Sequence, residues 1–117
     1  MSTIGDYAFM EFENLSTLII PDTIKKVGKN AFAYCNSLRS ITVGSKVNSI
    51  ESNAFTSMSL TNIIFKEPQT WYVYKKTSSN SGTSTLVTIT NNSFQNAMLY
   101  SEYADYDWSN EIPGDMY

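Results

Sequence analysis

The chain repeats itself at intervals of 23 residues, and this periodicity constrains its fold more than any other feature. Three columns of equivalent residues show it: Ile4, Val27 and Ile50; Ala8, Ala31 and Ala54; Phe9, Phe32 and Phe55. A unit of this length cannot bury a core alone, so the units must stack on one another. We predict three full units over residues 1–23, 24–46 and 47–65, the third having lost one residue.

Each unit ends in a short segment of alternating apolar residues, which is typical of a β-strand. Stacking these segments gives a parallel sheet with two buried ladders, Leu18/Ile41/Ile63 and Ile20/Val43/Phe65. The residues between the ladders point to the other face of the sheet, which is the natural binding face of stacked repeats. These candidate ligand-binding residues are Thr17, Ile19, Ser40, Thr42, Asn62 and Ile64. Ile19 and Ile64 either contact a ligand or are covered by a downstream insertion.

A second short extended segment opens each unit, at residues 1–4, 24–27 and 47–50. Gly5 and Gly28 follow its first two copies, where we expect a left-handed or tight turn. The residues after the turn are expected to form a short helical turn. The phenylalanines then stack in a buried aromatic spine made of Phe9, Phe32, Phe55 and Phe94.

An insertion at residues 66–85 interrupts the repeat. Two β-prone runs around a Ser/Asn/Gly-rich loop favour a protruding hairpin there, with a flexible linker as the alternative. Its aromatic residues Trp71, Tyr72 and Tyr74 are candidate contacts for a protein or sugar. Alternatively, these rings hide the open edge of the last unit.

Residues 86–99 repeat part of the unit's internal spacing and are assigned to a partial fourth unit.

The pattern of the second unit is that of a known repeat. Its matching residues are Val27, Gly28, Ala31, Phe32, Cys35, Leu38, Ile41 and Val43. The chain thereby resembles the BspA-like leucine-rich repeat family, over residues 1–65 and partly over 86–99. The resemblance implies an α+β repeat fold, a short right-handed solenoid with a parallel β-sheet. The segment 100–117 is similar to the family's C-terminal cap, because Tyr100, Tyr103, Tyr106 and Trp108 follow in the same order.

The same resemblance implies a secreted or surface-displayed protein of host-associated microbes. Its expected role is a non-catalytic module that binds a protein or glycan ligand on host or other cells. We therefore expect an extracellular or cell-surface location, although no signal peptide opens this chain. Two alternatives remain open: an intracellular scaffold or assembly repeat, and the terminal repeat block of a larger carbohydrate-active protein.

Composition removes many chemistries. The chain has no histidine and a single cysteine, Cys35, which excludes histidine-based catalysis and cysteine zinc sites. We predict no enzyme activity, no cofactor and no metal. Asp105, Asp107 and Ser109 resemble the start of a calcium loop, but the glycine and glutamate of an EF-hand are missing. The formal charge of −3 argues against a nucleic-acid partner, and no apolar run is long enough for a membrane span.

Charge alternates between neighbouring units. The first unit has four acidic and no basic residues, namely Asp6, Glu11, Glu13 and Asp22. The second has five basic and no acidic residues, namely Lys25, Lys26, Lys29, Arg39 and Lys46. Opposite signs on adjacent units are expected to attract, although exposed pairs contribute little.

Because Met1 already occupies an apolar ladder position, either further repeats precede it or the first unit self-associates through its open edge.

Overall fold

The computed structural model describes residues 2–56, 59–67, 70–74 and 85–110. Short strands and one helix make up its regular structure. In chain order these are β1 (Thr3–Ile4), β2 (Thr17–Ile19), β3 (Lys26–Val27), β4 (Ser40–Val43), β5 (Ser49–Ile50), β6 (Asn62–Phe65), β7 (Thr70–Tyr74), β8 (Thr85–Thr88), α1 (Ser93–Glu102) and β9 (Asp107–Ser109).

The three units stack so that each contributes one strand to each of two sheets. The front sheet has the order β2-β4-β6, and all its strands are parallel. Leu18 lies opposite Ile41, which lies opposite Ile63, as the repeat spacing predicts. The back sheet has the order β1-β3-β5-β9-β7-β8, with its first three strands parallel. The predicted parallel sheet is therefore confirmed in the front sheet, and the second extended segments of the three units also pair in parallel.

The core lies between the two sheets and contains an aromatic column. The rings of Phe9 and Phe32 stack at 5.2 Å between centroids, and those of Phe32 and Phe55 stack at 6.0 Å. The column continues at Tyr100, whose ring lies 5.6 Å from that of Phe55. The prediction that Phe94 extends the spine is wrong, because Phe94 is on the exposed side of α1.

The turn after the first strand of each unit differs from the expected helical turn. Tyr7, Asn30 and Asn53 occupy equivalent positions and all have a left-handed backbone, with φ of 61°, 56° and 59°. Backbone N–H groups here donate across the stack: Tyr7 N–H reaches the Lys29 carbonyl at 2.9 Å. These bonds between units take the place of the i to i−4 bonds within a helix, and they join the backbone of each unit to that of the next.

Close packing, and not a left-handed backbone, requires the glycine at position 28 of this turn. Neither Gly5 nor Gly28 has a positive φ, so the expected left-handed form is wrong. The expected tight turn is present, because the N–H groups of Ala8 and Ala31 each donate to the glycine carbonyl three residues earlier at 3.2 Å. A Cβ atom on Gly28 would lie 2.6 Å from the backbone nitrogen of Asp6 and 2.7 Å from the carbonyl carbon of Gly5. Glycine is needed at this position because two units touch there through their backbones.

The chain after β6 packs against the third unit. Helix α1 lies against β6, and β9 pairs antiparallel with β5 on one side and with β7 on the other. Strands β7 and β8 pair antiparallel, as expected for a hairpin; the loop 75–84 lies outside the described residues. Both strands of this hairpin belong to the back sheet, where β7 is an interior strand. Leu86 lies in β8 and so does not stack as part of a parallel fourth unit.

Candidate functional site

The outward side chains of the front sheet form a grid of two rows, here called the front face. One row contains Thr17, Ser40 and Asn62, and the other contains Ile19, Thr42 and Ile64. Neighbours within a row are about 4.8 Å apart, and the rows are about 6.6 Å apart along the strands. The sequence therefore identified these six positions as one surface, and the strand register brings them together.

The isoleucine row is the most apolar part of the front face. Ile19 is 66% exposed and Ile64 is 47% exposed, with half-buried Thr42 between them. The described strands of the insertion do not cover these residues, because β7 and β8 belong to the back sheet. The alternative of covering by the loop 75–84 lies outside the described residues. A partner that buried these side chains would remove apolar area from water, which is favourable.

The polar row is less uniform. Thr17 is exposed and Ser40 is half-buried. The Asn62 carboxamide oxygen accepts a hydrogen bond of 2.9 Å from the Ser93 hydroxyl, at the start of α1. The Asn62 amide nitrogen donates to the Thr61 hydroxyl at 3.1 Å. Thr17 and Ser40 therefore keep more of their hydrogen-bonding capacity for a ligand than Asn62 does.

The insertion aromatics lie elsewhere. Trp71 is completely buried in the core between Phe65 and Trp108, at centroid distances of 5.9 Å and 6.1 Å. Its ring cannot act as a surface anchor, because β7 alternates and Trp71 points inward. Tyr72 and Tyr74 point to the opposite face of β7 and are half-buried. The structure therefore separates all three from the front face.

The exposed charges on the first unit bind backbone as well as side chains. The carboxylate of Asp6 accepts the N–H of Lys29 at 2.9 Å, and that of Asp22 accepts the N–H of Ser45 at 2.9 Å. The Ser45 hydrogen bond lowers the pKa of Asp22, and the ammonium of Lys66, 3.4 Å away, lowers it further. These carboxylates link one unit to the next, which the charge count alone did not reveal.

Three residues shape the C-terminal side of the site. Asn96 was not singled out from the sequence, and the hydrogen bonds of Asp107 and Tyr100 were not predicted from it. Buried Asn96 donates to the Ile63 carbonyl at 3.0 Å and to the Thr90 carbonyl at 2.9 Å, which fixes α1 to β6. Buried Asp107 accepts the N–H of Ser52 at 2.9 Å. Tyr100 accepts the N–H of Phe55. Asn96 lies four residues before Tyr100 and so on the same helix face, which was the available signal for its burial.

The described residues offer little that is reactive. Burial raises the pKa of the Cys35 thiol, which donates to the Phe9 carbonyl at 3.3 Å and behaves as a small core side chain. Within residues 2–56, 59–67, 70–74 and 85–110, no three histidine, cysteine or acidic side chains cluster as metal ligands would. In the same ranges, no helix has the length and apolar character needed to cross a membrane.

Comparison with known proteins gives a family match. The model described as BspA type leucine rich repeat region (6 copies) matches residues 2–104. The chain is also similar to a crystal structure, at 2.00 Å resolution, of a leucine-rich repeat protein from Bacteroides capillosus. The two are 21% identical with a TM-score of 0.41, over 56% of this chain and 64% of that one. The chain thus spans less than two thirds of that protein. No curated protein sequence matches it.

The family match covers most of the chain and includes all three stacked units. Those units have the parallel strands and the conserved spacing of apolar ladders expected for such a repeat. The resemblance noted from Val27, Ala31, Phe32 and Leu38 is therefore confirmed. The chain belongs to the BspA-type leucine-rich repeat family, a class of repeat binding modules.

Proposed function

We propose that the chain is a non-catalytic binding module whose front face holds an extended protein or glycan ligand. The observation that carries the proposal is the exposed row of Ile19, Thr42 and Ile64 across three parallel strands. Three strands give this row a length of about 10 Å, and stacked repeats use such faces for binding.

The two rows offer different contacts to such a ligand. The isoleucines supply apolar area that is desolvated on binding, which stabilises a complex by about 25 cal/mol per Å² buried. Thr17, Ser40 and Thr42 supply hydroxyl groups that can both donate and accept hydrogen bonds. An extended polypeptide or a sugar chain alternates apolar and polar surfaces over similar distances, so either class fits the grid.

We further propose adhesion or host interaction as the biological role, at the cell surface or outside the cell. The family membership supports this role. In the same proposal the stack is a right-handed solenoid, and α1 with β9 forms its C-terminal cap. The contacts of Asn96 with β6 and of Asp107 with the third unit support the capping part.

The binding proposal is tested with a double variant, Ile19→Lys with Ile64→Lys, on an array of host matrix proteins and glycans. The matched control is Leu86→Lys, which changes an exposed apolar residue on β8 away from the front face. We expect binding to fall at least about tenfold for the double variant and to stay unchanged for Leu86→Lys. Equal binding by the double variant and the wild type would reject the front face as the site.

The location proposal has a separate test. Source cells are fractionated and immunoblotted with antibody raised against the chain. A signal in the surface or secreted fraction supports adhesion. A signal confined to the soluble interior would favour an intracellular scaffold or assembly repeat.

A further inference from the structure

Two cations border the front face, and they differ in how they are paired. Strands β2, β4 and β6 themselves contain no charged residue. Arg39 comes immediately before β4, and Lys66 comes immediately after β6. The ammonium of Lys66 lies 3.4 Å from the carboxylate of Asp22. Exposed Arg39 forms no ion pair with any residue that the structure describes, so its charge is not neutralised there.

Arg39 lies in the middle of its end of the front face, between residues that carry hydroxyl groups. Its N–H donates to the Ser16 carbonyl of the first unit at 2.9 Å, and its carbonyl accepts the N–H of Thr61 of the third unit at 2.9 Å. Ser40 follows it in the chain and belongs to the front face. Arg39 therefore belongs to the middle unit and has a neighbour on each side in the stack.

These neighbours form a polar patch at one end of the front face. The patch, here called the Arg39 patch, consists of Ser16, Thr17, Arg39, Ser40 and Thr61. It contains four hydroxyl groups, one guanidinium and no carboxylate. The Thr61 hydroxyl donates to the Arg39 carbonyl at 3.3 Å, which holds the third unit against the second at this point. The row of Ile19, Thr42 and Ile64 begins two residues farther along the strands.

The chemistry of the Arg39 patch indicates what kind of ligand it suits. A guanidinium is a planar fork that binds a carboxylate through two parallel hydrogen bonds. Side-chain hydroxyls both donate and accept, and so do the ring hydroxyls of a sugar. An acidic sugar holds its carboxylate and its hydroxyls on one ring, so little conformational freedom is lost on binding. A glutamate side chain would satisfy the guanidinium alone and would leave the hydroxyls of the patch without partners.

The formal charge of the whole chain, −3, does not oppose an anionic ligand at this place. Salt screens exposed charges beyond about 8 Å at physiological ionic strength, so the groups nearest the ligand decide the attraction. Within the front strands and the Arg39 patch the only charge is that of Arg39. Local charge complementarity therefore favours an anion.

We propose that the front face binds a sugar chain that carries carboxylates, of the uronic or sialic acid type, and that Arg39 binds the carboxylate. The inference rests on the function proposed above and narrows its ligand class. The sugar hydroxyls bond to Ser40 and Thr17, and the less polar C–H surface of the chain packs on the row of Ile19 and Ile64.

The test uses trisaccharides of glucuronic acid, galacturonic acid and sialic acid, each beside its methyl ester. The ester keeps the ring and removes the charge. Calorimetric titration of the full chain should show binding of at least one acid, and at least about tenfold weaker binding of its ester. Arg39→Gln should lose a similar factor, and Arg39→Lys, which keeps the charge without the fork, should lie between. The matched control is Lys25→Gln, at an exposed cation before β3, which should bind within about twofold of wild type.

The sugar assignment has its own arm, which uses a peptide of eight glutamates as the competing carboxylate. Thr17→Val with Ser40→Ala should weaken binding of the acidic sugar at least about threefold. Thr3→Val with Thr88→Val, at exposed strand residues of the back sheet, is the control and should bind like wild type. Tighter binding of the glutamate peptide than of any acidic sugar, or no effect of the Thr17 and Ser40 changes, would overturn the assignment to a sugar.

Four further results decide the role of the carboxylate and of Arg39. Absence of binding of all three acids to the wild type would overturn the proposal, as would equal binding of acid and ester. Equal binding by Arg39→Gln and the wild type would also overturn it. If the Ile19 and Ile64 double variant still lost its array ligand in those cases, the front-face function would stand and only its acidic ligand would be rejected. An acid that binds through Arg39, with its ester weakened, would establish the proposal.

Discussion

The side chain of Tyr100 takes the place of a further repeat unit for Phe55. In the first two units, the phenylalanine N–H donates to an alanine carbonyl of the next unit: Phe9 to Ala31 at 2.7 Å and Phe32 to Ala54 at 2.8 Å. The N–H of Phe55 donates instead to the Tyr100 hydroxyl oxygen at 3.2 Å. One tyrosine thereby supplies both the aromatic ring and the hydrogen-bond acceptor that stacking would otherwise provide.

Removing the Tyr100 hydroxyl should destabilise the chain. Tyr100→Phe keeps the ring but leaves the buried N–H of Phe55 without an acceptor, which costs about 1–3 kcal/mol of unfolding free energy. Tyr34→Phe, which removes an exposed hydroxyl, should change stability by less than about 0.5 kcal/mol. Urea unfolding measures both. Equal unfolding midpoints for the two variants would contradict the acceptor role of Tyr100.

Alkaline pH should destabilise the chain through the same residue. Burial raises the pKa of Tyr100 in the folded state, whereas in the unfolded chain it is about 10. A folded pKa above the unfolded one gives a contribution that is fully present below about pH 10 and is lost as pH rises through the folded value. Unfolding free energy measured across this range should fall less steeply for Tyr100→Phe than for wild type. Parallel pH profiles would refute this.

The two glycines at the turn should respond very differently to substitution. Gly28→Ala places a methyl group against the backbone of Asp6 and Gly5, and we expect a loss of about 1–3 kcal/mol or more. Gly5→Ala meets no atom within 4 Å and should be nearly neutral. Thermal and urea unfolding compare the pair. A Gly5→Ala loss as large as that of Gly28→Ala would show that backbone freedom, and not close packing, determines both positions.

Replacing Tyr7 with asparagine should stabilise the folded chain. It has φ of 61° at a position where the next two units have Asn30 and Asn53. Asparagine tolerates the left-handed region better than an aromatic residue, so Tyr7→Asn should raise the unfolding free energy by about 0.5–1 kcal/mol. Thr3→Asn, in β1, should give no gain. A destabilised Tyr7→Asn would indicate that the tyrosine ring contributes more packing than the backbone strain costs.

The two buried tryptophans provide a hydrogen-bond comparison. Trp108 donates its indole N–H to the Tyr103 carbonyl at 3.0 Å, whereas the indole nitrogen of buried Trp71 has no hydrogen-bond partner among the residues that the structure describes. Both Trp→Phe variants lose ring area, but only Trp108→Phe loses a bond. We expect Trp108→Phe to cost about 1–2 kcal/mol more than Trp71→Phe in urea unfolding. The reverse order would disprove this assignment.

The repeated part of the fold could be predicted from the sequence because spacing alone fixes the register of stacked strands. Leu18, Ile41 and Ile63 were placed in one ladder, and the front-face residues followed from the alternation of side chains along a strand. Whether Trp71 is buried or exposed could not be predicted, for a physical reason. A Trp-Tyr-Val-Tyr strand alternates in the same way whether its inner side meets a core or a ligand.

The C-terminal part could not be predicted in this way because it departs from the repeat. Strand β9 enters the back sheet between β5 and β7, which is a long-range pairing with no local signal. Phe94 matches the repeat spacing but lies in α1, where a 3.6-residue period turns it outward and brings Tyr100 inward. Helical periodicity therefore replaced the repeat spacing at this point.

The binding proposal can be examined at single-residue level by isoleucine methyl NMR. The probe is the matrix protein or glycan that the wild-type chain binds most tightly on the array. We predict that its addition shifts the methyl signals of Ile19 and Ile64, while the buried methyls of Ile50 and Ile89 stay in place. Shifts confined to isoleucines outside the front face, with Ile19 and Ile64 unchanged, would contradict the front face as the binding site.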